Sequence, residues 1–159
     1  MQWKAMTPAE VWEVVEFWAG GPWPVTRDEA QRRAVDRFGW AIEVENGKEY
    51  LVNPVSGISP SDVSVVGHGT VSSVNFWIAD LIREESARSR AFLGDTAVLA
   101  VREGVTRWGR PSLRRAPART DATWDLPGGC RVTITLASKS TRVHVHTPQG
   151  IRAEREEGY

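Results

Sequence analysis

Apolar residues recur along this chain with two different periods. Val11, Val14, Val15 and Trp18 fall at the spacing of one helical face. Thr7-Pro8-Ala9-Glu10 precedes them. Thr7 can cap, Pro8 stands where a missing N–H costs nothing, and Glu10 can close a capping box. Gly20-Gly21 supplies the stop. A second helix is predicted after Thr26-Arg27-Asp28-Glu29, with Ala30, Ala34 and Phe38 as a narrow stripe and Gly39 as its end.

From Trp40 the period changes to two. Trp40, Ile42 and Val44 alternate with small or charged residues, then Asn46-Gly47 precedes Tyr50, Leu51 and Val52. Asn-Gly suits a two-residue type I′ turn, because both positions need positive φ. That turn sets Glu45 against Lys48, Glu43 against Tyr50 and Ile42 against Leu51. Glu43, Glu45 and Lys48 then share a wet face, and Trp40, Ile42, Val44 and Leu51 a dry one. Glu49 falls on the dry side at the turn end. After a Pro-, Ser- and Gly-rich loop over 54–62, a short strand is expected at Val63–Val66 and a longer one at Val71–Ile78.

Ser86 to Trp108 reads as the main helix, with Leu93, Ala97, Ala100, Val101, Gly104 and Trp108 on one face. Gly94-Asp95 is a possible break. Arg110 to Thr120 reads as a basic loop, and strands are expected over 122–126, 130–136 and 141–146. Residues 148–159 read as a charged tail. The predicted fold is α+β: one domain over 1–147, with a single, mostly antiparallel sheet of about six to seven strands. Two N-terminal helices and one long central helix cover one face.

At 159 residues the chain can bury a substantial core. Its formal charge is zero, so no bulk field argues for nucleic acid or membrane. The basic residues are 17 Arg and 3 Lys, and eight Trp is heavy usage. One cysteine excludes an internal disulfide. No leader-like or membrane-spanning apolar run is present, so a cytoplasmic protein is expected.

Candidate chemistry is sparse. His144 and His146 share one strand face in metal-ligand spacing, but a site needs further ligands and His68 is the only other histidine. Cys130 could act as a nucleophile with one of these histidines as base, yet it follows Gly128-Gly129 at a strand start, not a helix N-terminus. There is no Gly-x-Ser-x-Gly elbow and no phosphate loop. Neither catalytic residues nor metal nor cofactor is therefore expected. Clustered arginines remain: Arg107, Arg110, Arg114, Arg115 and Arg119 lie in a stretch without an acid. Arg forks bind carboxylates and phosphates, and nucleic acid is the weaker reading because nothing else in the chain is basic.

The layout from Trp77 to Val145 carries a resemblance. A helix runs into Trp108-Gly109-Arg110-Pro111, then come a polar loop, Trp124, Val132-Thr133-Ile134 and Val143-His144-Val145. At the front, Trp23-Pro24-Val25-Thr26 leads to Phe38-Gly39-Trp40. This resembles the small bacterial α+β proteins encoded beside polymorphic toxins, many of them immunity proteins. The resemblance implies a non-catalytic binder that covers a cognate toxin's active site. The class shares no catalytic residues, so none is carried over. Glu43, Glu45 and Glu49 could match a basic cleft, and Arg110, Arg114, Arg115 and Arg119 an acidic surface. A secretion-type chaperone or adaptor is the alternative, favoured if Trp or Leu is exposed on the main helix. A small enzyme using Cys130, His144 and His146 is the third reading and requires those groups to meet in one cleft.

Overall fold

The structure, a computed structural model, describes residues 2–156. Four helices and eight strands follow in the order α1 (Pro8–Ala19), α2 (Arg27–Phe38), β1 (Ala41–Glu45), β2 (Lys48–Val52), β3 (Asp62–Val66), β4 (Ser73–Trp77), α3 (Ala87–Trp108), β5 (Ser112–Ala116), β6 (Arg119–Asp125), β7 (Arg131–Ala137), β8 (Thr141–His146) and α4 (Pro148–Glu156). All strands join one antiparallel sheet, ordered β1-β2-β3-β4-β8-β7-β6-β5. Each half is a meander, and β4 meets β8 at the centre. The α+β class stands, with two corrections in count. The stretch read as a basic loop is the edge strand β5 and its turn into β6. The stretch read as a charged tail is helical from Pro148 to Glu156, and residues 157–159 lie outside the described residues.

The local signals act as their chemistry dictates. Thr7 and Glu10 form the reciprocal capping box. Thr26 accepts from the Glu29 amide, while Gly39 takes a left-handed φ of 70° at the end of α2. Asn46 and Gly47 have φ of 54° and 77°, and the hairpin register is Glu45 to Lys48, Glu43 to Tyr50 and Ile42 to Leu51. The helix α3 runs unbroken through Gly94-Asp95. Flanking turns hold Gly94 in place, at a propensity cost of about 1 kcal/mol relative to Ala.

Helices α1, α2 and α3 cover one face. The core beneath them joins Val11, Val15 and Trp18 to Val74, Val132, Ile134, Val143 and Val145. The indoles of Trp12 and Trp124 meet edge to face, with centroids 5.0 Å apart. Trp12 Nε1 donates to the Ala100 carbonyl at 2.8 Å, and Trp124 Nε1 to the Gly109 carbonyl at 2.8 Å. Gly104 leaves room for both rings. On the rim, Arg107 Nη1 lies 2.6 Å from Glu16 Oε1, and Trp108 Nε1 donates to Glu16 Oε2 at 3.0 Å. The acidic residue Glu16 thus ties α1 to α3 and is not a free solvated charge.

Candidate functional site

Period-2 alternation leaves the other face of the sheet polar. Ser64, Asn75, His144, Thr133, Thr123 and Ser112 form one row across six strands. Side chains in this layer bind one another. Thr123 and Thr133 share a hydroxyl contact of 3.0 Å, Thr135 donates to Asp121 at 2.8 Å, and Arg131 Nε donates to Asp125 at 2.8 Å. Among the described residues α4 packs against one end of this face, beside β8. Thr147 starts that helix by accepting from the Gly150 amide, while its hydroxyl lies 2.8 Å from the Val71 carbonyl. Gly150 seats backbone on backbone, since a Cβ there would overlap the Ser72 carbonyl.

Cys130 and the histidines do not meet. Cys130 has the parity of Val132 and Ile134 and is buried in the core under the helices. Burial pushes its thiol up to about 11, against a smaller opposing contact with Trp23. His144 and His146 stand on the opposite face of the sheet. The thiol–imidazole pair considered from sequence is therefore separated by the sheet itself.

The two histidines do meet each other. Their Nε2 atoms are 2.9 Å apart, and Glu154 Oε1 of α4 is 2.9 Å from the Nε2 of His146. Burial first, then the repulsion that a protonated His146 and the Arg142 guanidinium exert on a second positive charge, bring His144 down to about 4. Burial lowers His146 too, with Glu154 pulling the other way. Both imidazoles are accordingly neutral at pH 7. Sequence reasoning gave His144 and His146 but not Glu154, because residue 154 belongs to a segment read as tail.

The acidic and basic candidates occupy opposite margins. Glu43 and Glu45 lie on the polar face of β1, while Glu49 points to the helical side, opposite Val44. All three are exposed, as are Val44 and Tyr50. At the far margin Arg110, Arg114, Arg115 and Arg119 are exposed around β5. Arg114 faces Asp121 across the strand pair, and Arg119 is 3.5 Å from Asp121. Arg107, the first arginine of the acid-free stretch, belongs to α3 and is paired with Glu16 and Glu103. Seven strand spacings separate the margins, about 34 Å, so these are two surfaces and not one. A wide depression of about 960 Å³ opens elsewhere, between the N-terminal Trp3, Pro60 and the segment from Leu81 to Glu85.

A family model matches residues 9–147. The chain belongs to DUF6301, a family of unknown function. No curated protein and no solved structure matches it. The DUF6301 span ends directly after β8, so His144 and His146 lie inside it and α4, with Glu154, lies outside. No helix of the described residues is long and apolar enough to cross a membrane.

Proposed function

We propose that this protein is a non-catalytic binding module of the immunity type, which neutralises a cognate bacterial toxin in the cytoplasm by occluding its active site. The observation that carries the reading is the acidic hairpin of β1 and β2. Arg27 of α2 holds it by donating to the Glu49 carbonyl at 2.6 Å, and Glu43, Glu45 and Glu49 stay exposed beside Val44 (69 % accessible) and Tyr50 (40 %). Among the described residues no ion pair engages those three carboxylates. A projecting apolar tip rimmed by unpaired negative charge fits the basic cleft of an enzyme that handles nucleic acid or nucleotides. The test is co-expression with the product of the adjacent gene. The wild type should co-purify with that product and abolish its toxicity. Glu43→Lys, Glu45→Lys and Glu49→Lys combined should weaken binding at least tenfold while leaving the urea midpoint in place. Full protection by the triple variant would sink the assignment of the hairpin.

One observation favours a second reading. Val98 and Leu99 on α3 are each 48 % accessible, and Val105 is 38 %. An adaptor that holds an apolar partner segment would use such a strip. A partner that stays unfolded in the complex, shown by its hydrogen exchange, would favour this reading over immunity.

A further inference from the structure

The sheet is open at both ends. Its order runs from β1 to β5, and neither outer strand has a second neighbour. Among the described residues no backbone hydrogen bond from outside the sheet reaches residues 41–45 or 112–116. Such edges are templates for another strand. The two edges differ in sign. β1 carries Glu43 and Glu45, β5 carries Arg114 and Arg115, and among the described residues none of these four side chains is in an ion pair. Each edge also displays one large apolar side chain, Val44 at 69 % and Leu113 at 59 % accessible.

Direction, face and hydrogen-bond phase agree between the two edges. Strands alternate in direction across the whole sheet. A second copy set beside β5 in the same orientation therefore presents its β1 antiparallel, with its helices on the same side. Glu43 and Glu45 share the polar face with Ser112 and Arg114, while Ile42 and Val44 share the helical side with Leu113 and Arg115. Both hairpins have two-residue turns, so the flanking pairs Glu45–Lys48 and Ala116–Arg119 are hydrogen-bonded pairs. Alternating from there, Ala41 and Glu43 direct their backbone groups to β2, and Ser112 and Arg114 direct theirs to β6. The N–H and C=O groups of Ile42, Val44, Leu113 and Arg115 are left pointing outward.

One register satisfies all of these conditions. Leu113 meets Val44 and Arg115 meets Ile42 as hydrogen-bonded pairs. Arg114 then meets Glu43 as the closer, non-hydrogen-bonded pair, about 4.5 Å between Cα atoms. Ser112 meets Glu45 and Ala116 meets Ala41, so both strands are used in full. Glu45 lies diagonal to Arg114, within reach of a long side chain. Pairing an edge with its own kind does the opposite, because it sets arginines against arginines or glutamates against glutamates. We propose that the β5 edge of one copy takes the β1 edge of a second copy as an added antiparallel strand, joining their sheets head to tail. The contact is heterologous and leaves an edge free at each end, so it propagates. It does not rest on the toxin reading, since the chain alone is assayed.

The experiment is sedimentation equilibrium of the full, tag-free chain at low salt. A strand pair of this size is a small, transient contact, so the concentration series runs to about 1 mM. The weight-average mass should rise beyond that of a dimer and fall back as salt is added. Glu43→Lys and Arg114→Glu should each lower the association constant about tenfold or more. Mixed in equal amounts, the two variants should associate again, because each supplies the charge the other lacks; misfolded variants would not. Glu84→Lys, the same change of charge in the exposed segment before α3, should leave association as it was. A chain that stays monomeric throughout, a mass that stops at the dimer, single variants that associate like the wild type, or no rescue on mixing would overturn the proposal.

Discussion

Replacing Gly104 by alanine tests how α3 is seated on the sheet. In an isolated helix the change stabilises by about 1 kcal/mol, because alanine restricts the unfolded chain and glycine does not. Here the new Cβ would overlap Cζ2 of Trp12 and come within 2.7 Å of Cζ2 of Trp124. Neither indole can yield cheaply. Trp12 is fully buried, and each ring is anchored by its own Nε1 donor bond. Overpacking of this kind costs about 1–3 kcal/mol, and displacing one indole from its carbonyl adds about 1 kcal/mol. After subtracting the propensity gain, a net loss of about 2 kcal/mol is expected. Gly94 is the internal control. It lies in the same helix, and a Cβ there meets nothing within 4 Å, so Gly94→Ala should stabilise by about 0.5–1 kcal/mol. Urea unfolding followed by tryptophan fluorescence reads both. With a slope of about 2 kcal/mol/M, the midpoints should move in opposite directions, by about 1 M down for Gly104→Ala and a few tenths up for Gly94→Ala. Two shifts of the same sign would refute the packing described here.

Three further outcomes are expected. Cys130 should resist a thiol reagent in the native protein and react fully in urea, because the thiol is 1 % accessible and pushed up to about 11; rapid native labelling would contradict its position. The Arg107–Glu16 contact joins side chains 28 % and 34 % exposed, so a double-mutant cycle with alanine should give a coupling of about 0.5–1 kcal/mol; zero coupling would remove this link between α1 and α3. For pH, a depressed histidine leaves the unfolded chain binding more protons between 6.5 and about 4, so stability present above 6.5 falls as pH drops through that window. The full linkage is about 3 kcal/mol, and partial exposure reduces it to about 1–2 kcal/mol; urea midpoints at pH 7 and 4.5 should fall less for His144→Asn than for wild type, and equal falls would count against burial of His144.

Much of the fold is legible because it is written in local chemistry. The Asn46-Gly47 pair dictates both turn type and register, so the contacts of Glu43, Ile42 and Glu45 follow from sequence alone. The alternation at Val132 to Leu136 and at Val143 to Val145 separates the two faces of the sheet without any knowledge of strand order. What failed was weighing charge above pattern. Ser112-Leu113-Arg114-Arg115-Ala116 reads as loop by composition, but an edge strand beyond the helical cover has no dry face to display. Thr147-Pro148 repeats the signal of Thr7-Pro8 and starts a helix for the same reason, and its charged continuation obscured it. The pairing of β4 with β8 was illegible in a different way. It joins residues about 70 positions apart in sequence, and no local signal specifies a contact of that range.

The distribution of tryptophan constrains how this molecule can recognise anything. Aromatic anchors commonly supply the largest share of an interface's energy. Trp12, Trp18, Trp40 and Trp124 are committed to the core, and Trp108, though 39 % accessible, is held by Glu16. The heavy aromatic usage is thus spent mainly on joining three helices to the sheet. Besides the exposed apolar residues of the β1–β2 tip and of α3, what remains for a partner is the polar face and its two charged margins, where charged side chains are solvated and individually weak. Such surfaces gain affinity by number and by field more than by any single contact, and they act first on the rate of encounter. Separation of acidic and basic margins by the width of the sheet strengthens this effect. A chain of zero formal charge still presents a directed field to an approaching molecule, so for a binding module of the proposed kind orientation, not bulk attraction, would be the means of selecting a partner.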